Sequence, residues 1–137
     1  MRFLYNIFIY LYIGILHLIC PFNKKIKTML KGQKECFDKL KSINPNDKIA
    51  WFHCASLGEF EQGRPLLEEV KKHFPNHKIL LSFYSPSGYE AKKNYSLADY
   101  IVYLPNDTRK NAKKFVSMVN PDLVFFIKYE FWYNYIS

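Results

Sequence analysis

Glu59 lies directly after Gly58 and three residues after Ser56, in the run Ser56-Leu57-Gly58-Glu59. A carboxylate in that setting has two uses. Ser-x-x-Glu is the capping-box pattern, in which the two side chains satisfy free N–H groups at a helix start. A carboxylate facing the open end of a sheet can instead take the proton of an attacking hydroxyl. Gly58 beside it would let a substrate approach closely. Ser85-Pro86-Ser87-Gly88 is a second polar junction. It reads either as an N-cap with proline in the first turn or as a hydroxyl-rich helix start that receives an anion. Glu130-Phe131-Trp132 is a third, in which Trp132 also suits a core. Other chemistries lack their residues. His53, His73 and His77 do not share a metal-ligand spacing on one element. Cys20, Cys36 and Cys54 form no C-x-x-C, which argues against a zinc site or a disulfide framework and fits a reducing compartment. Neither G-x-G-x-x-G nor a P-loop is present.

The three junctions gain meaning from the elements around them. Lys48–Cys54 reads as a strand, and Glu59–Phe74 as a helix with Leu66, Leu67 and Val70 on one face. Lys78–Tyr84 is a second strand whose run Ile79-Leu80-Leu81 suits a strand covered on both faces. A helix follows from Ser85-Pro86 to about Tyr95, then a strand at Tyr100–Leu104. Pro105-Asn106-Asp107 starts a helix that Asn120-Pro121 stops. Asp122–Lys128 is a fourth strand, and Glu130–Ile136 can begin a further helix. Strands alternating with helices predict βαβ units. Right-handed crossovers then give an α/β, Rossmann-like parallel sheet with helices on both faces and strand order 3-2-1-4. In such a sheet ligands bind beyond the carboxyl ends of the strands, where all three polar junctions fall.

Upstream the pattern differs. Phe3–Cys20 carries no charged residue. As a helix it spans about 27 Å, just short of a hydrocarbon core of about 30 Å. No small-x-small cleavage site follows it, which argues against a signal peptide and leaves a membrane anchor, spanning or lying in the interface, favoured over a buried core helix. Arg2 stands alone before it, whereas Lys24, Lys25, Lys27, Lys31 and Lys34 crowd the other side. That asymmetry places the rest of the chain in the cytoplasm. The expected organisation is therefore an anchor over 1–22, a basic helix and linker over 23–47, and the α/β domain over 48–137. The 137 residues carry a formal charge of +8, which suits an anionic partner or a solvated lysine-rich surface. A nucleic-acid partner has no motif behind it. The chain stops at Tyr135-Ile136-Ser137 with no polar tail, which reads as part of a longer protein.

Trp51-Phe52-His53-Cys54-Ala55-Ser56-Leu57-Gly58-Glu59, Pro65-Leu66-Leu67, Ser85-Pro86-Ser87-Gly88-Tyr89-Glu90, Tyr103-Leu104-Pro105-Asn106-Asp107, Pro121-Asp122-Leu123 and Glu130-Phe131-Trp132 follow one another in this order. Together they closely resemble the N-terminal, acceptor-side half of 3-deoxy-D-manno-octulosonic acid (Kdo) transferases. The resemblance implies a two-domain GT-B glycosyltransferase that moves Kdo from CMP-Kdo onto lipid A precursor at the cytoplasmic face of the inner membrane. It implies inversion, no catalytic metal, and a donor site mainly in a second domain absent from this chain. It places the family's general base on Glu59 and a second acidic site residue on Glu130. Ser56, Gly58, Ser85, Ser87 and Gly88 then belong to the substrate side. Arg64 is a candidate for an acceptor phosphate or an ordinary surface residue. The sequence departs from the family at Lys128, where an acidic residue is frequent, and at Tyr133, where proline is frequent. A rival from another class is a non-catalytic, membrane-tethered α/β binding module, which would need no carboxylate at Glu59.

Overall fold

The structure, a computed structural model, describes residues 1–127 and 132–136. Four strands, β1 (Ile49–Cys54), β2 (Lys78–Phe83), β3 (Tyr100–Tyr103) and β4 (Leu123–Phe126), form one sheet in the order β3-β2-β1-β4. All three pairings are parallel, with Trp51 opposite Leu80 and Val124, and Leu81 opposite Ile101. The expected order and direction hold. The reversal of strand order falls between β1 and β4, so the crevice at their carboxyl ends is the switch point where such sheets bind ligands.

Every residue of β1 is buried, because helices cover both faces. On one face, α2 (Lys24–Leu40), α5 (Arg109–Val119) and α6 (Tyr133–Ile136) send Cys36, Leu40, Phe115, Val119 and Tyr135 against Ile49, Trp51, Leu80 and Val102. On the other, α3 (Leu57–His73) and α4 (Pro86–Lys92) cover Ala50, Phe52, Ile79 and Leu81. Aromatic rings do much of the filling. Trp51 lies 4.8 Å from Phe115, and Phe52 stacks on Phe125 at 4.7 Å.

Two boundaries differ from the expected ones for a local reason. α3 begins at Leu57, two residues early, because Ser56 is its N-cap in extended geometry. Its buried residues are therefore Phe60, Gly63, Leu67 and Val70, and Leu66 turns outward. A Cβ at Gly63 would lie 2.7 Å from Ile127, so this glycine sets how closely α3 approaches the end of β4. α5 begins only at Arg109, since Thr108 is the cap and accepts from the Asn111 N–H at 3.1 Å. Asn106 and Asp107 are thereby left in the loop, with other partners. α5 ends on Asn120 at φ 45°, the left-handed conformation that closes many helices.

α1 (Arg2–Ile19) runs into a single turn of 3-10 helix at Cys20–Phe22. Over its most apolar 18 residues this segment has a mean hydropathy of 1.9; it is apolar and long enough to cross a membrane, and only Leu16 of α1 is buried.

Candidate functional site

Four strand ends meet at the crevice, and the backbone ties the first two together. The Tyr84 and Ser85 N–H groups both donate to the carbonyl of Ala55, at 3.3 and 2.8 Å. The turn after β2 is thus fixed beside the turn after β1. Gly88 makes that fit possible. A Cβ there would lie 2.7 Å from the Phe83 ring and 3.1 Å from the Leu57 nitrogen. The Ser85 hydroxyl accepts from the Gly88 N–H at 3.2 Å and lies 3.1 Å from the Ser87 hydroxyl. Ser85 is half-buried and Ser87 exposed, so this pair of hydroxyls remains reachable.

On the first turn Glu59 is partly exposed and completes the capping box. Its Oε2 accepts from the Ser56 N–H at 2.8 Å and from the Ser56 hydroxyl at 3.1 Å. The carboxylate is therefore oriented through one oxygen. Gly58 is exposed, and a Cβ on it would meet nothing nearer than the Ser56 hydroxyl at 4.0 Å. The two glycines differ in kind. Gly88 is demanded by packing, whereas no neighbour among the described residues demands Gly58. Burial lifts the Cys54 thiol to about 12, with the Glu59 charge adding to the effect, so the thiol beneath the carboxylate stays protonated.

Two other polar groups support the strand ends. The Trp51 indole N–H donates to the Ser82 hydroxyl at 2.8 Å, and His53 Nδ1 lies 2.8 Å from the same oxygen. Complete burial pushes the His53 imidazole down to about 3, against an opposing hydrogen bond with the Ser82 main chain, and so keeps it neutral. Asp107, only 2% exposed, accepts from the Tyr5 hydroxyl and from the Asn134 and Tyr135 N–H groups, the latter two at 3.2 Å each. Burial raises the Asp107 carboxyl, while those donors pull it back down. Tyr84 donates to Asn106 Oδ1 at 2.8 Å, and its ring stands 5.0 Å from Trp132. Ala55, Tyr84, Asn106, Asp107 and Trp132 from the strand ends, with Tyr5, Ile9 and Tyr12 of α1, enclose a cavity of about 340 Å³.

The structure thus gathers Ser56, Gly58, Glu59, Ser85, Ser87 and Gly88 at two adjoining turns. It places Arg64 elsewhere. Its guanidinium pairs with Glu68 at 2.9 Å and Glu61 at 3.7 Å along the exposed flank of α3. Glu130 and Lys128 lie outside the described residues. Sequence reasoning missed Tyr84 as a wall of the cavity. Its place directly after β2, opposite Ala55, was the available signal.

Comparison with known proteins bears on this edge directly. Residues 29–137 match the family described as 3-deoxy-D-manno-octulosonic-acid transferase (kdotransferase). A 3-deoxy-D-manno-octulosonic acid transferase of Aquifex aeolicus is 33% identical over 103 residues, covering 70% of this chain and 28% of the relative. The one from Haemophilus influenzae is 29% identical over 93 residues, 67% of this chain and 22% of the relative. That of Rickettsia bellii is 31% identical over 108 residues, 77% of this chain and 26% of the relative. The chain spans about a quarter of the length of these relatives.

Proposed function

The chain belongs to the 3-deoxy-D-manno-octulosonic-acid transferase family, and on that premise we propose that it is the acceptor-side portion of an inverting GT-B glycosyltransferase. The reaction proposed is transfer of Kdo from CMP-Kdo to lipid A precursor at the cytoplasmic face of the inner membrane. In this reading residues 1–22 are the membrane anchor, 23–47 a basic connecting helix and linker, and 48–137 the acceptor domain. The donor is held mainly by a second domain corresponding to the larger remainder of the relatives.

The observation that carries the reading is the state of Glu59. Both donors from Ser56 fall on Oε2. Among the described residues no hydrogen bond falls on Oε1, which leaves that oxygen to receive a proton, and Gly58 precedes the carboxylate with open space around it. The acceptor hydroxyl loses its proton to Oε1 as its oxygen bonds to the anomeric carbon of Kdo. The bond from that carbon to CMP breaks on the opposite face. A positioned base contributes about 10²–10⁴-fold. Ser85 and Ser87 present hydroxyls to the sugar from the neighbouring turn, and Glu130 is proposed as a second acidic contact. Arg64, already paired with Glu61 and Glu68, has at most an outer role toward an acceptor phosphate.

The test is Glu59→Gln in the complete enzyme, assayed with CMP-Kdo and lipid A precursor. Glutamine keeps the reach-back bond of a capping box but cannot accept the proton. The variant should fold normally, bind acceptor, and turn over about 10²-fold or more slower. Near-normal transfer would remove Glu59 from the mechanism and return it to a purely structural role at the helix end; no transfer by the parent enzyme would instead favour the binding-module reading.

A further inference from the structure

We propose that α1 does not cross the bilayer but lies flat in the surface of an anionic one, clasped along its length to the carboxyl edge of the sheet. The proposal rests on the membrane attachment proposed above and specifies its geometry. One stripe of α1 faces the protein: Tyr5, Asn6, Ile9, Ile13 and Leu16 are wholly or partly covered. The spacing is that of a single helix face. Polar groups on and beside this stripe find partners at the carboxyl edge of the sheet and on α6. Tyr5 donates to Asp107, the Asn6 side-chain carbonyl accepts from the Asn134 amide at 2.8 Å, and the Tyr12 hydroxyl lies 3.0 Å from that of Tyr84. Leu16 packs with Met29, Leu30 and Tyr103.

The docked stretch from Tyr5 to Leu16 takes up about 17 Å of helix at 1.5 Å per residue. What remains free cannot cover a hydrocarbon core of about 30 Å. Spanning would require the clasp to open and would carry Asn6 into hydrocarbon without its partner, which is costly. Lying flat costs neither. The outward face is almost wholly apolar, with Phe3 and Leu18 each 75% exposed, Phe8 67% and Leu11 63%. An exposed apolar band of this size marks a contact with something.

Charge decides what that something is. Lys24, Lys27, Lys31 and Lys34 recur at helical spacing on one face of α2, and all are exposed. Lys24, Lys27 and Lys31 share a surface groove with Cys20, Pro21 and Phe22, and Lys34 lines a cavity with Tyr10, Ile13 and His17 of α1. The lysine stripe therefore runs alongside the apolar band. Glu35 and Asp38 come only toward the far end of α2, where Asp38 is paired with Lys41 at 3.0 Å. An apolar band flanked by lysines matches acyl chains beneath anionic headgroups. A second copy of the chain would bring the same lysines together.

A depth scan tests the proposal on the whole chain. Cysteines introduced one at a time at Phe3, Phe8, Leu11 and Leu18, in a Cys20→Ser background that leaves only the buried Cys36 and Cys54, carry an environment-sensitive fluorophore. The chain is added to vesicles of phosphatidylcholine and phosphatidylglycerol holding quenchers at set depths. All four sites are surface positions, so the substitutions leave folding intact. The expected result is one shallow depth for all four. A graded profile, deepest at Phe8 and Leu11, would overturn flat docking while leaving membrane attachment standing. No vesicle binding by the parent chain would instead refute the attachment itself. Lipid-free self-association that buries the same fluorophores would assign the face to a second copy and overturn the proposal. Replacing Lys24, Lys27 and Lys31 together by glutamine should weaken binding on the order of a hundredfold. Unchanged binding would remove the anionic surface from the proposal.

Discussion

Gly58→Ala and Gly88→Ala should separate a glycine kept for a substrate from one kept for packing. At Gly88 a methyl would sit 2.7 Å from the Phe83 ring and 3.1 Å from the Leu57 nitrogen. The ring is packed in the core and the nitrogen is backbone, so neither yields cheaply. Overpacking of this kind costs about 1–3 kcal/mol. For a chain of this size that is roughly 3–5 °C in Tm per kcal/mol. At Gly58 the methyl meets only the Ser56 hydroxyl at 4.0 Å, and φ is not positive. Alanine inside a helix is favoured over glycine by about 0.5–1 kcal/mol, and this first-turn position should show part of that gain. The assay has two arms: thermal unfolding, and Kdo transfer by the complete enzyme. Gly88→Ala should lose stability, with turnover following the folded fraction. Gly58→Ala should hold or raise Tm while transfer falls about 10–10²-fold, the penalty for pushing a substrate out of line. If Gly58→Ala transferred Kdo normally, the close approach of substrate at this turn would be wrong. If it lost stability instead, the open space at Gly58 would be wrong.

Two further predictions concern the support of the site. Ser56→Ala should cost about 1 kcal/mol through loss of the cap, with a smaller effect on turnover than Glu59→Gln, since the main-chain N–H still holds Oε2. His53 gives a pH signature. Its folded value, about 3, lies below the ordinary 6.5, so the unfolded chain takes up the proton first as pH falls. Stability contributed by the neutral ring is complete above pH 6.5 and declines by about 1.4 kcal/mol per pH unit between 6.5 and 3. Urea unfolding at pH 7.5 and 5.5 should show that loss in the parent and a flatter response in His53→Gln; equal slopes would contradict it.

How far the sequence reached follows from how local each signal is. Ile79-Leu80-Leu81 announces a doubly covered strand because both of its faces meet helices, and the buried β1 beside it is covered in the same way. The sheet order then follows from crossovers of one hand. Glu59 and the serine turns were legible because caps and first-turn prolines are written in consecutive residues. Asp107 was not. Its place after a strand resembled a helix start, yet its partners are Tyr5, 102 positions away, and backbone amides of α6. The docked face of α1 was hidden for the same reason. Asn6 reads as a polar interruption in an apolar run until Asn134 is placed opposite it.

Cap and base are not rival descriptions of Glu59. A carboxylate has two oxygens, and a capping box uses the lone pairs of one. The Ser56 N–H and hydroxyl hold Oε2 and thereby fix the plane of the group. A base left to swing would lose much of what positioning supplies, because a displacement of about 1 Å can cost 10²-fold. Under the proposed reaction, the helix start that stabilises the fold is also what aims Oε1. In the proposed reaction the same Ser56-Leu57-Gly58-Glu59 run serves both roles. The cap explains why serine stands three residues before the carboxylate. The proposed chemistry, with substrate passing close to this turn, accounts for the unencumbered glycine between them.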